Sequence, residues 1–262
     1  MKVKLLGCEI VRKKKVICSI LILLCLIGSV IGGYQAYKQI QGYLKGSSSY
    51  TELYDYITLP EGDGSQAGEQ EDNYQIPVID FDNLEKINSD IIGWIYIEGT
   101  NINYPIVQGR DNKYYLKHLF NGEWNSSGCI FLDSRNSSDL SDKHSIIYGH
   151  HMRDGKMFSS LMKYKQQSFY ENHPEILILT PYGNYKLIIF SAYVTSVTDD
   201  VWDIDFKTEN DYGEWINKSL YKSCLKCDIN PTTADQIVTL STCSYEYNNA
   251  SFVLLGLLKK FD

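Results

Sequence analysis

Ile237-Val238-Thr239-Leu240-Ser241-Thr242-Cys243 is a short run of β-branched and apolar residues that ends in a thiol. Its composition predicts a strand over 236–241. Cys243, just past that strand, would present its sulfur at the mouth of a sheet. A histidine able to serve it stands far upstream, in Ile146-Ile147-Tyr148-Gly149-His150-His151-Met152. Nucleophile and base need to be neighbours in the fold, not in the sequence. A thiol works as its thiolate, and His150 can either stabilise that charge or protonate a leaving amine. Gly149 permits close backbone approach. Taken singly, a buried structural cysteine and an unrelated surface histidine are the commoner arrangement, so the pairing has to be judged with its surroundings.

Outward from these segments the chain reads as many short strands with a few helices. Trp94–Ile97, Ile102–Val107, Gly128–Leu132, Ser145–Tyr148, Ile176–Thr180, Tyr185–Thr195 and Phe252–Leu258 have strand composition. Met157–Phe169 has helical spacing. Glu209–Cys224 predicts a long helix with Tyr212, Trp215, Ile216 and Leu220 on one face. Asp82–Ile92 fits a short helix capped by Asp82, with Glu85 three residues on. Together these predict a mainly β fold, a β-barrel with helical decoration. The 262 residues, 44% hydrophobic, suffice for one domain of good size plus an appendage. Tyrosine, at 21 against 9 phenylalanines, suits a β-rich body with amphipathic surface positions.

The N-terminal part differs. Lys2, Lys4, Arg12, Lys13, Lys14 and Lys15 face a single acid, Glu9, while the chain as a whole is at −7. The body is therefore acidic, without the basic stripe of a nucleic-acid binder. Val16–Gly33 is uncharged and at the short end for a membrane span. A cleaved signal peptide is the rival reading, but the run is long for one and no good Ala-x-Ala site follows. The preferred organisation is a cytoplasmic basic segment at 1–15, a transmembrane anchor at 16–33, an extracytoplasmic stalk at 34–75 and a catalytic domain at 76–262. In the stalk, Gly46-Ser47-Ser48-Ser49 predicts a helix break and acidic, Gly-containing 60–73 a flexible stretch. Cys8, Cys18 and Cys25 belong to the anchor region. Cys224 and Cys227 form a lone C-x-x-C without the second ligand pair that zinc needs, so no metal is expected there; a disulfide across it is the rival to plain unpaired thiols, which are the preferred reading. Asp199, Asp200, Asp203 and Asp205 would suit calcium, but a solvated acidic loop is the simpler reading.

Three segments together resemble class B sortases, membrane-anchored transpeptidases of Gram-positive bacteria. They are Asn101–Gln108 with Asp111–Leu116, Ile147–Met152 continuing through Asp154–Phe158, and Ile237–Glu246. The resemblance runs over about residues 78–260. It implies a sortase-type closed β-barrel with N-terminal helices and a long helix inserted before the last strands. It also implies a reaction. Cys243 would attack the threonine carbonyl of a C-terminal sorting motif, of Asn-Pro-x-Thr-x or Pro-x-Thr-Gly type. His150 would protonate the leaving amine, and a peptidoglycan amine would resolve the thioester, with no cofactor. The implied partners are surface proteins bearing sorting signals, the peptidoglycan amine and the membrane. Ser241, Thr242 and Thr195 are candidates for the peptide groove, and His151 has no catalytic role. A papain-like hydrolase is disfavoured, because here the cysteine follows the histidine and sits on a late strand.

One position departs from the family pattern. Where the resemblance places an arginine after the cysteine, Asn248-Asn249-Ala250-Ser251-Phe252-Val253 has Ser251. Arginine would donate charge-assisted hydrogen bonds to substrate or oxyanion. Three readings follow. The serine could be an introduced change. The chain could rely on backbone N–H groups, or on Arg135 or Arg153 reaching in. Or it could be a weak or inactive relative that binds sorting peptides with little turnover.

Overall fold

A computed structural model describes residues 2–59 and 76–261, and the expected flexible stretch at 60–73 lies outside them. The chain forms two units, one up to Lys45 and one from Gly46 onward. The first is entirely α1 (Lys2–Glu52), which continues into the second. Leu21, Leu23, Leu24 and Ile27 are exposed on it. By length and composition the helix from Ile17 is apolar enough to cross a membrane.

The composition predicts a break at Gly46–Ser49, yet α1 runs on to Glu52. Packing overrides the poor helix propensity of Gly and Ser. Tyr50 is buried, stacks edge-on against Tyr104 at 5.2 Å, and donates to the Gly128 carbonyl at 2.5 Å. Leu53 is buried as well. The folded body therefore begins at Gly46, well before the expected start at Ile76.

After the small pair β1 (Ile57–Thr58) and β2 (Val78–Ile79) comes α2 (Phe81–Ile87). Its cap is Asp80, not Asp82: the Asp80 carboxylate accepts from the Asn83 N–H at 3.1 Å. Ile91 and Ile92, expected at the end of this helix, begin β3 instead. The strands are β3 (Ile91–Tyr96), β4 (Asn103–Val107), β5 (Ile130–Leu132), β6 (His144–Tyr148), β7 (Glu175–Thr180), β8 (Gly183–Ser196), β9 (Ile237–Ser244) and β10 (Ala250–Phe261). They close into one barrel in the order β10-β8-β7-β3-β4-β5-β6-β9. β4–β5 and β6–β9 are parallel pairs; the rest are antiparallel. Closure leaves the barrel itself without a free edge.

Between β6 and β7 the expected single helix over 157–169 is a 3₁₀ segment (Phe158–Lys165) followed by α3 (Gln167–Asn172). Met157, at φ 54°, starts the segment, and Gln166 is extended between the two. The long helix is α4 (Glu209–Lys222), begun by a capping box between Thr208 and Asp211. Its Tyr212, Trp215 and Ile216 are buried, as the spacing predicts, against Phe190, Tyr193, Val253 and Leu255. Val253 pairs with Tyr193 and Leu255 lies two residues on, so these three share the outer face of the barrel, while Phe190 sits at the bulge in β8 where the register shifts. α4 thus roofs one end of the outer face formed by β6, β9, β10 and β8. The other end of that face stays open.

His144 links β6 to α4, to the loop before it and to β9. It is fully buried against Trp215, donates from Nδ1 to the Asp203 carbonyl at 2.7 Å, and meets the Thr239 hydroxyl through Nε2 at 2.8 Å. Burial pushes its pKa down to about 4, overriding the pull of the Asp203 carbonyl. The folded imidazole refuses a proton that the unfolded one accepts below about 6.5. Stability is therefore complete above that value and falls as pH drops toward 4, by about 3 kcal/mol in all. Thermal melts across this window are expected to show the decline. His144→Gln, which keeps both hydrogen bonds without a titrating ring, is expected to remove that component of the slope; identical slopes would overturn the assignment.

Candidate active site

Strand register assembles the site. Tyr148 of β6 pairs with Ser241 of β9, and the Gly149 N–H continues that ladder to the Ser241 carbonyl at 3.0 Å. His150 follows directly after Gly149, past the end of β6. On the other side Cys243 pairs with Ser251 of β10, and Ser251 pairs with Thr195 of β8. Directly paired residues share a face with Cβ atoms about 4.5–5.5 Å apart. Cys243, Ser251 and Thr195 thus form one row across β9, β10 and β8, on the outer face that α4 leaves uncovered, and His150, just past the end of β6, lines the same pocket as Cys243 and Ser251.

A pocket of about 320 Å³ lies over this row. His150, Cys243, Ser251, Ser241 and Thr242 line it, with Leu116, Tyr148, Val197 and Trp202 forming largely apolar walls. Cys243 is exposed, whereas Ser241, Thr242 and Ser251 are buried in the strands. Thr195 shares the row but does not line the pocket; its hydroxyl is engaged with Asp199. The candidate groove residues therefore divide, Ser241 and Thr242 in the pocket and Thr195 beside it.

His150 is oriented from behind. Its Nε2 lies 2.7 Å from the Leu116 carbonyl, which can only accept, so Nε2 carries a proton and Nδ1 is left for chemistry. The backbone before it has no spare room. A Cβ on Gly149 would stand 2.5 Å from Ile130 Cδ1 and 2.6 Å from the Phe158 ring. Gly149→Ala is expected to shift His150 off its line and lower turnover by about 10²-fold. The alkylation rate of Cys243 by iodoacetamide, measured alongside, is expected to fall as well, because a displaced imidazole no longer stabilises the thiolate.

His151 plays a part that strand alternation did not foretell. Its Nδ1 donates to the Cys243 carbonyl at 3.0 Å, its ring packs on Tyr245, and Tyr245 donates back to the His151 carbonyl at 3.2 Å. β6 ends at Tyr148, so the alternation that would turn His151 away no longer applies. It fixes the backbone of the nucleophile. A second histidine directly after the first was the available signal.

Neither candidate arginine replaces the missing one. Arg135 is held by Asp133 through Nε at 2.9 Å and Nη2 at 2.8 Å. Burial works to raise the Asp133 pKa, but the Arg135 guanidinium and its backbone N–H, with Asn112 and Tyr148, hold it down to about 2. Arg153 is exposed and does not line the pocket. The acidic loop is engaged by lysines: Lys222 bonds Asp199 and Asp200, and Lys218 bonds Asp200. Among the described residues no group of three or more His, Cys, Asp or Glu side chains is arranged to hold a metal. Cys224 and Cys227 are free thiols, the latter 3.1 Å from the Phe190 carbonyl. Cys129 is buried, and burial pushes its thiol up to about 12, away from reactivity.

The fold is a closed mixed barrel with a cysteine and a histidine lining one open pocket. Comparison with known proteins narrows the class. The sortase-domain family model matches residues 95–256. Sortase B of Staphylococcus aureus is 36% identical over 240 residues, 92% of this chain and 94% of that one. The structure of the S. aureus sortase B–substrate complex superposes with a TM-score of 0.67 at 41% identity, covering 70% of this chain and 85% of that one. A sortase B of Bacillus anthracis gives 0.71 at 34%, covering 85% and 100%. The chain belongs to the sortase family, class B, whose members are cell-wall sorting transpeptidases.

Proposed function

We propose that this chain is a membrane-tethered transpeptidase that cleaves a sorting motif after threonine and joins the protein to a peptidoglycan amine. The observation that carries the reading is that His150, Cys243 and Ser251 line one open, largely apolar pocket, with Cys243 and Ser251 paired across β9 and β10. The Cys243 thiolate attacks the threonine carbonyl carbon. The tetrahedral oxyanion collapses, the C–N bond breaks, and His150 gives its Nδ1 proton to the departing amine. The amine of a wall precursor or cross-bridge then attacks the thioester and yields a proton to His150. The C–S bond breaks, returning the thiolate. The apolar walls shield the thioester from water. The helix from Ile17 would anchor the chain, with basic residues 1–15 on the cytoplasmic side and the barrel outside.

Ser251 favours a second reading, a weakened sortase that binds sorting peptides with little turnover. Serine offers one short uncharged donor where a guanidinium would reach the oxyanion. A product assay separates these from simple hydrolysis. With a Pro-x-Thr peptide and added oligoglycine, the transpeptidase reading expects the joined peptide to outweigh the hydrolysed acid. A weakened sortase gives the same joined product slowly, and a hydrolase gives the acid regardless of amine.

A further inference from the structure

Asp133 follows the end of β5 with its side chain fully buried. Four donors converge on it: the Arg135 N–H at 3.0 Å, Arg135 Nε and Nη2, and the Tyr148 hydroxyl at 2.9 Å. The same Nη2 then donates to the Trp202 carbonyl at 3.3 Å. Trp202 closes the short turn Asp200–Trp202, its indole N–H donates to the Ser196 carbonyl at 3.0 Å, and its ring lies near-parallel to that of Tyr148 at 6.2 Å. Tyr148 and Trp202 are both walls of the Cys243 pocket. One buried carboxylate thus holds one wall directly and the other through a guanidinium.

Stability alone is a weak reason for this arrangement. Burying a carboxylate costs free energy that an ion pair to a half-exposed arginine scarcely returns. The segment between β8 and α4 is fastened at its base by Lys222 on Asp199 and Asp200. Its pocket-facing end reaches the β5–β6 side through Arg135.

We propose that Arg135 is a positioning residue for peptide binding: anchored on Asp133, it holds Trp202 against Tyr148 and sets the width of the pocket beside Cys243. It touches neither thiol nor imidazole, so it acts on substrate binding and leaves the chemistry alone. The inference rests on the transpeptidase reading for its kinetic part only.

The test compares Arg135→Met, Trp202→Ala and the double variant in the full chain. Amide exchange over 197–206, which needs no peptide, is expected to quicken about tenfold in Arg135→Met, while β9 amides keep the wild-type rate. With peptides of Asn-Pro-x-Thr and Pro-x-Thr-Gly type, KM is expected to rise about tenfold with kcat within about twofold. The iodoacetamide rate at Cys243 is expected to be unchanged. The double variant is expected to match Trp202→Ala, because Arg135 acts through that residue. Should Arg135→Met fail to fold, Arg135→Lys keeps a charge on Asp133 but lacks the fork that spans to Trp202, and the same loosening is expected. Unchanged exchange and KM, additive KM effects, or a parallel fall in kcat and alkylation would each overturn the proposal. Loss of the transpeptidase reading would show separately, as a wild-type chain that takes no acyl group from any peptide.

Discussion

Exchanging Ser251 for arginine is expected to raise kcat/KM for a sorting peptide by about 10²–10³. Ser251 pairs directly with Cys243 across β9 and β10 and opens into the pocket. A longer side chain at that position has the open pocket to extend into. The guanidinium would supply charge-assisted donors where the tetrahedral oxyanion forms. The gain belongs in kcat, since that charge appears only in the transition state. Ser251→Lys provides a charge without the fork and is expected to recover only part of it. Equal turnover by the parent chain and Ser251→Arg would show that another donor already serves the oxyanion. Backbone N–H groups would then be the first place to look.

Replacing His150 with alanine is expected to lower kcat by about 10²–10⁴, the usual range for a general acid or base. His150 Nε2 is committed to the Leu116 carbonyl, so the ring has one nitrogen for proton transfer and a fixed direction in which to present it. The loss is expected in the acylation step, where an amine must be protonated to leave. A substrate with a good leaving group, such as a thioester or activated ester of the same peptide, is expected to acylate the variant much faster than the amide does. His151→Ala is the informative companion. It removes a hydrogen bond to the Cys243 carbonyl and leaves the proton relay intact, so a milder defect that does not depend on the leaving group is expected.

Much of the barrel was readable from local pattern, because its strands are short apolar runs between turn residues and its core positions alternate. The buried face of α4 was readable for the same reason: Tyr212, Trp215 and Ile216 fall at helical spacing and are buried as that spacing predicts. Cys243 and His150 were readable as a pair because the segments around both carry a resemblance to a known family. Other features were not legible. Helix α1 crosses Gly46–Ser49 because Tyr50 and Leu53 find partners far along the chain. The 3₁₀ segment at 158–165 keeps apolar spacing close enough to a helix to be mistaken for one. Asp80 and Asp82 are equally good caps by composition, and only backbone geometry selects the first. The role of His151 and the Asp133–Arg135–Trp202 chain depend on contacts between segments with no sequence periodicity to announce them.

The most direct measurement is intact-mass spectrometry of the barrel unit, residues 46–262, incubated with Pro-x-Thr peptides, with Cys243→Ala alongside. The unit is cut at Gly46 because Tyr50 and Leu53 belong to its core. The expected result is a mass increase equal to the peptide acyl group, located on Cys243 and absent from Cys243→Ala. It should disappear on addition of oligoglycine as the joined peptide forms. An adduct seen only once Ser251 is changed to arginine would assign this chain to the weakened-sortase reading. No adduct in either form, or an adduct that Cys243→Ala still forms, would contradict the account.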